Sequence, residues 1–142
     1  MSSFLALPRP VLVMSAERAV RQLLGHLLRQ EGYACAAVSD GDEAFEEIAR
    51  GRPLVALLDM RRGGDDDLLF LGLLRKRHPS LGAIILLPGK AMVVHGRTEH
   101  VIDHDPVQEL PDLPSMEQLR NAIDWIATQT HLATFKPATG TA

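Results

Sequence analysis

Short apolar runs alternate with helical patterns along this chain, and that alternation limits its fold more than any other feature. Val11–Met14, Tyr33–Val38, Leu54–Leu58 and Ala83–Leu87 are brief runs with little polar interruption. Such runs read as strands covered on both faces. Between the first two, Val20, Leu23, Leu24, Leu27 and Leu28 repeat at helical spacing until Gly32 stops the helix. Ser39 and Asp40 are good N-caps for a second helix with Ala44, Phe45, Ile48 and Ala49 on its apolar face, ended by Gly51 and Pro53. A polar loop, residues 60–67, leads to a third helix whose last turn carries Arg75, Lys76, Arg77 and His78 before Pro79. Ser115 and Gln118 have capping-box spacing ahead of a final helix with Met116, Leu119, Ile123 and Ile126 on its apolar face.

Strands that alternate with helices imply right-handed crossovers and a parallel sheet with helices on both faces. The expectation is an α/β domain with a doubly wound, five-stranded parallel sheet. Val101 and Ile102 are expected to belong to a short fifth strand. Residues 1–8 read as an N-terminal extension, 9–130 as the domain and 131–142 as a flexible tail. The 142 residues suffice for one core. In doubly wound sheets, ligands gather at the C-terminal ends of the central strands. That rule selects Ser15, Ala16 and Glu17 after the first strand, Asp59 after the third, and Leu87 with Pro88 after the fourth.

The run Pro10-Val-Leu-Val-Met-Ser-Ala-Glu17, then Leu-Leu-Asp59, then Leu-Leu-Arg-Lys-Arg-His-Pro79 resembles the receiver domain of two-component response regulators. Gly64-x-Asp66 echoes that family's loop after its phosphorylated aspartate. The resemblance implies a flavodoxin-like sheet of order 2-1-3-4-5. It also implies a pocket with an acidic pair and a phosphoacceptor aspartate that hold Mg²⁺, a hydroxyl after the fourth strand and a Lys-Pro after the fifth. Asp59 stands at the phosphoacceptor position. Ser15 and Ala16 replace the acidic pair, with Glu17 one position further on. Leu87 replaces the hydroxyl residue, and Asp105-Pro106 replaces Lys-Pro. The stretch from Leu87 to Asp105 is short for the family, so the fourth helix is expected to be short or missing.

One carboxylate is a poor Mg²⁺ site, because the ion gives up its waters reluctantly. Without metal and cation, little stabilises a transferring phosphoryl group. The resemblance thus implies a degenerate (pseudo-receiver) module of signal transduction with no enzyme activity, no cofactor and doubtful Mg²⁺ binding. A structural role for Asp59, paired with Arg61 or Arg62, is the plain reading beside it. An arginine over Asp59 would hold the pocket in one fixed state. The alternative is a working phosphoacceptor of a phosphorelay, with Glu17 or Asp105 supplying oxygen ligands. The expected partner is a histidine kinase, another signalling protein or a second copy. It would meet a face containing Ile84, Val101, Ile102, Leu119, Ile123 and Trp125.

The other features carry less. His95, Glu99, His100, Asp103, His104 and Asp105 are metal-ligating types, but their spacing matches no specific motif, and a solvated loop is the simpler reading. Asp65, Asp66 and Asp67 lack EF-hand spacing and read as caps of the third helix. A formal net charge of -3, without aromatic interleaving of the basic clusters, argues against nucleic acid. No apolar run approaches the roughly 20 residues of a membrane span. Cys35 is the only cysteine and lies inside a strand pattern, so neither an internal disulfide nor a reactive thiol is expected. The expected location is cytoplasmic.

Overall fold

A computed structural model describes residues 9–94, 108–111 and 114–135. In chain order it contains β1 (Val11–Met14), α1 (Arg18–Gln30), β2 (Cys35–Val38), α2 (Gly41–Gly51) and β3 (Val55–Asp59). Then come α3 (Asp65–Arg77), β4 (Ala83–Leu87), β5 (Lys90–Val94), β6 (Gln108–Pro111) and α4 (Met116–Phe135). The sheet order is β2-β1-β3-β4-β5-β6. The expected order 2-1-3-4-5 holds. β1 to β4 pair in parallel, with Val11 beside Val55 and Asp59 beside Leu86.

Period-two strands divide the core between the two faces. Val11, Val13, Val55, Leu57, Ile84 and Leu86 pack under α1 and α4. Leu12, Met14, Ala56, Leu58 and Ile85 pack under α2 and α3. Capping follows the sequence closely. Asp40 accepts a hydrogen bond from the Glu43 amide at 2.9 Å. Ser115 and Gln118 form a reciprocal capping box, at 2.8 and 3.1 Å. Two glycines permit close helix packing. A Cβ on Gly41 would lie 2.7 Å from the Phe70 ring, where α2 meets α3, and one on Gly82 would collide with Ile126 of α4.

The departures cluster after β4. Pro88 and Gly89 connect β4 to β5 directly, and Gly89 has φ +83°. Proline followed by a positive-φ glycine is a type II turn signature. β5 therefore runs antiparallel to β4, with Leu87 beside Lys90 and Ala83 beside Val94. β6 adds a sixth strand, antiparallel to β5. The expectation of an all-parallel, five-stranded sheet is corrected on this point: a two-residue turn leaves no room for the crossover that a parallel strand needs. No helix separates β4 from β5; the rest of the stretch in which the fourth helix is expected to be short or missing, residues 95–105, lies outside the described residues. Val101 and Ile102, expected as the fifth strand, lie outside the described residues. So do residues 1–8 and 136–142. α4 continues to Phe135, five residues into the segment expected as a tail.

Three smaller expectations also change. Asp65, Asp66 and Asp67 occupy the first turn of α3 rather than its cap; Gly64, at φ +128°, is the N-cap. Their carboxylates face the positive end of the helix dipole. Leu119 and Ile123, expected on a docking face, are 2% and 0% exposed and belong to the core, as does Ile84. Their spacing of four sets them on the stripe that α4 lays against the sheet. Trp125 is half-buried and packs against the same core.

Candidate functional site at the end of β3

Asp59 is the last residue of β3, at the C-terminal edge of the sheet. Ser15 follows β1, its neighbour strand, and is fully buried. The Ser15 hydroxyl donates to Asp59 Oδ2 at 2.7 Å and accepts from the Glu17 amide at 3.1 Å. One side chain thus orders the start of α1 and contacts the carboxylate. Arg21, one turn into α1, donates to the Ser15 carbonyl at 2.7 Å.

Arg61 supplies the rest. Its Nε donates to Asp59 Oδ1 at 2.8 Å and its Nη2 to Oδ2 at 3.0 Å. Its backbone amide lies 3.3 Å from Oδ1. Nη2 also lies 3.3 Å from Glu17 Oε1. A carboxylate offers about four acceptor directions. All four at Asp59 are met, two on each oxygen, by Ser15 and Arg61. The Asp59 side chain is 4% exposed. Burial by itself pushes its carboxyl up, but hydrogen bonds from Arg61 and Ser15 outweigh this and hold it below the usual carboxylate range.

Beside Asp59 a cleft of about 650 Å³ opens between α2 and α3. Asp42, Arg62, Asp66 and Asp67 stand on its rim, and Met14, Phe45, Leu69, Phe70 and Leu73 form its apolar part. Ala16 lines it too. Burial pushes the Asp67 carboxyl up, and the charges of Asp66 and Asp59 add to that.

The structure brings together Ser15, Glu17, Asp59 and Arg61 as one hydrogen-bonded group. It chooses Arg61 over Arg62 as the partner of Asp59. Leu87 ends β4 on the same sheet edge and is half-buried. Asp105, His95, His100 and His104 lie outside the described residues. Among the described residues, no group of three or more His, Cys, Asp or Glu is placed to hold a metal ion. One edge residue escaped the sequence reading. Because β5 is reversed, its first residue, Lys90, lies at the same edge as Asp59, two strands across. Strands are spaced about 4.8 Å apart, so the lateral offset is about 10 Å. The Leu-Pro-Gly-Lys turn signal was the available clue.

No helix among the described residues is long and apolar enough to cross a membrane.

Comparison with known proteins agrees with this geometry. The family described as the response regulator receiver domain matches residues 11–103. The DNA-binding transcriptional regulator NtrC of Escherichia coli (strain K12) is 34% identical over 76 residues, covering 54% of this chain and 16% of that protein. The nitrogen assimilation regulatory protein NtrX of Azorhizobium caulinodans is 29% identical over 94 residues, covering 65% and 19%. The chain therefore spans under a fifth of the length of these curated relatives. Among solved structures, the apo receiver domain of nitrogen regulatory protein C superposes with a TM-score of 0.62 at 24% identity, covering 84% of this chain and 94% of that one. A receiver domain protein from Clostridium thermocellum gives 0.68 at 20% identity, covering 87% and 98%. The sheet order, the aspartate closing β3 and the family match together establish that this chain belongs to the response regulator receiver domain family.

Proposed function

We propose that this receiver domain is a non-enzymatic signalling module that works through protein–protein contact, without efficient Mg²⁺-dependent phosphorylation of Asp59. The observation that carries this reading is the full occupancy of the Asp59 carboxylate by Arg61 and Ser15. Phosphoryl transfer needs one of those oxygens as nucleophile, with neighbouring groups to neutralise the developing charge. Here both oxygens are committed to a guanidinium.

The residues do not suit Mg²⁺. The ion asks for several oxygen ligands and releases its waters reluctantly. Ser15 and Ala16 stand where the family has its acidic pair, and Glu17, the remaining carboxylate, contacts the same guanidinium. Arg61 supplies the positive charge that a metal would bring. The module is taken to be cytoplasmic, with a histidine kinase, another signalling protein or a second copy as partner, and neither nucleic acid nor membrane. The formal charge of -3 supports the last two exclusions.

A second reading keeps Asp59 as a working phosphoacceptor, and the position of Lys90 favours it. The family's lysine follows its fifth strand, and the reversed β5 brings a lysine to the same edge. Acetyl phosphate in Mg²⁺ buffer separates the two readings by intact mass. The first expects no adduct on the wild-type chain. An adduct that is absent from Asp59→Asn and weakened by Lys90→Ala establishes the second and overturns the first.

A further inference from the structure

The outward face of α3 carries more exposed apolar surface than a solvated helix needs. Among the described residues, four large hydrophobic side chains are exposed, and three are on this helix: Leu68 at 68%, Leu69 at 66% and Leu73 at 43%. The core requires none of them; Phe70 and Leu74 already fill the sheet-facing side. Gly72 lies between them, and a Cβ built there would meet nothing within 4 Å. At helical spacing, Asp65, Leu69, Gly72, Leu73 and Lys76 fall on one stripe, with Leu68 at its edge.

Charge is divided along that stripe. Asp65 to Asp67 fill the first turn, and Arg75 to Arg77 fill the last. Complementing the helix dipole accounts for charges at both ends. It does not account for leucines between them. Acid, leucine pair, notch, leucine and base in that order make a surface that is complementary to itself when reversed.

We propose that α3 pairs with α3 of a second copy, antiparallel, about a two-fold axis level with the Phe70–Leu71 peptide. In that register Asp65 faces the partner's Lys76, and Leu68 faces the partner's Leu73. Leu69 enters the notch left by the partner's Gly72. Each contact occurs twice, as a self-complementary two-fold interface requires. A parallel pairing would set acid against acid and base against base. Arg77 contributes less, since its guanidinium lies over the Phe45 ring of its own chain at 4.6 Å. Lys76 is exposed, and at helical spacing it is the cation of that turn that falls on the stripe.

This goes beyond the Asp59 reading: Leu69 and Leu73 also line the cleft beside Asp59, but pairing of the helices requires no phosphoryl group on that residue. The contact is short. α3 has 13 residues, about 20 Å of helix. A patch that small belongs with weak, concentration-dependent interfaces.

Sedimentation equilibrium of the full chain over about 10 µM to 1 mM tests it. A monomer–dimer equilibrium is expected. Leu69→Ser should weaken it at least about tenfold, because symmetry removes both copies of the contact. Asp65→Lys and Lys76→Asp should each weaken it several-fold. The double variant Asp65→Lys/Lys76→Asp should restore it, since both ion pairs re-form with signs exchanged. Circular dichroism confirms that each variant is folded. A chain that stays monomeric at 1 mM overturns the proposal. So does a dimer indifferent to Leu69→Ser, or a charge exchange that restores nothing. None of these outcomes bears on whether Asp59 accepts a phosphoryl group.

Discussion

Arg61 forks onto Asp59 from two residues along the same chain, with Nε 2.8 Å from Oδ1 and Nη2 3.0 Å from Oδ2. The turn after β3 folds the guanidinium back over the strand end, where the Met60 amide bonds to the Leu86 carbonyl at 2.8 Å. Parallel N–H···O bonds of this kind are directional as well as strong. The cation is therefore built into the loop and needs no bound partner to be present.

Removing Arg61 should cost stability. Arg61→Ala leaves a carboxylate whose side chain is 4% exposed without its cation. The expected loss is about 1–3 kcal/mol, below the figure for a fully buried pair because Arg61 itself reaches solvent. Arg61→Lys should recover part of it, as lysine cannot supply the fork. Urea denaturation with unchanged m-value is the measurement. Equal stability of Arg61→Ala and the wild type would show that the pair is energetically neutral.

Acid should act through Asp59. Its folded pKa lies below the ordinary value of 3.8. A depressed carboxyl contributes stability that is present above the unfolded pKa and lost as pH falls through the folded one. The wild type should therefore lose more stability than Asp59→Asn as pH drops below about 4. In Arg61→Ala the effect of burial is opposed only by Ser15 and the backbone amide of residue 61, so the acid-labile arm should begin at higher pH than in the wild type. Thermal melts across pH 2–7 read both (about that range spans the carboxylate titration). Parallel wild-type and Asp59→Asn curves would contradict the assignment.

Two glycines should resist a single methyl group. Gly82→Ala drives a Cβ into Ile126, and Gly41→Ala puts one 2.7 Å from the Phe70 ring. Each should destabilise by about 1–3 kcal/mol through overpacking. Gly72→Ala, which meets nothing, should be neutral or stabilising by up to about 1 kcal/mol, from helix propensity. Denaturation midpoints of the three variants give the comparison, and a Gly82→Ala midpoint equal to that of the wild type would contradict the close packing of α4.

Cys35 should react slowly. Burial pushes its thiol up, only partly offset by Arg29, so little thiolate forms at neutral pH. Alkylation by iodoacetamide at pH 7.5 should run at least about tenfold slower in the native chain than in urea. Comparable rates in both would mean that β2 exposes the sulfur.

Much of the fold was legible in the sequence because the interactions that specify it are local or periodic. The runs Val11–Met14 and Val55–Asp59 could bury both faces only in the middle of a sheet, and that placed Asp59 at its edge. Asp40 and the Ser115–Gln118 box announced their helices through side chains that reach their own backbone. The region after β4 was misread because the Pro88–Gly89 signal is two residues long and competes with a strong alternation of strands and helices. Leu119 and Ile123 are expected both on the apolar face of the last helix and on a docking face, and burial against the sheet leaves only the first.

By itself, then, the sequence determined the first four strands, the helices between them and the position of the lone carboxylate, because hydrophobic period and capping chemistry act over a few residues. Only the tertiary structure decided what that carboxylate meets. Ser15 and Glu17 lie 44 residues from their partners Asp59 and Arg61, and strand pairing closes that distance. The choice of Arg61 over Arg62, and the return of Lys90 to the same edge, depend on turn geometry that residue types do not encode one at a time. The carboxylate that marks the family is legible in the chain; the Ser15 hydroxyl and the Glu17 carboxylate join it and its guanidinium only when β1 and β3 lie side by side.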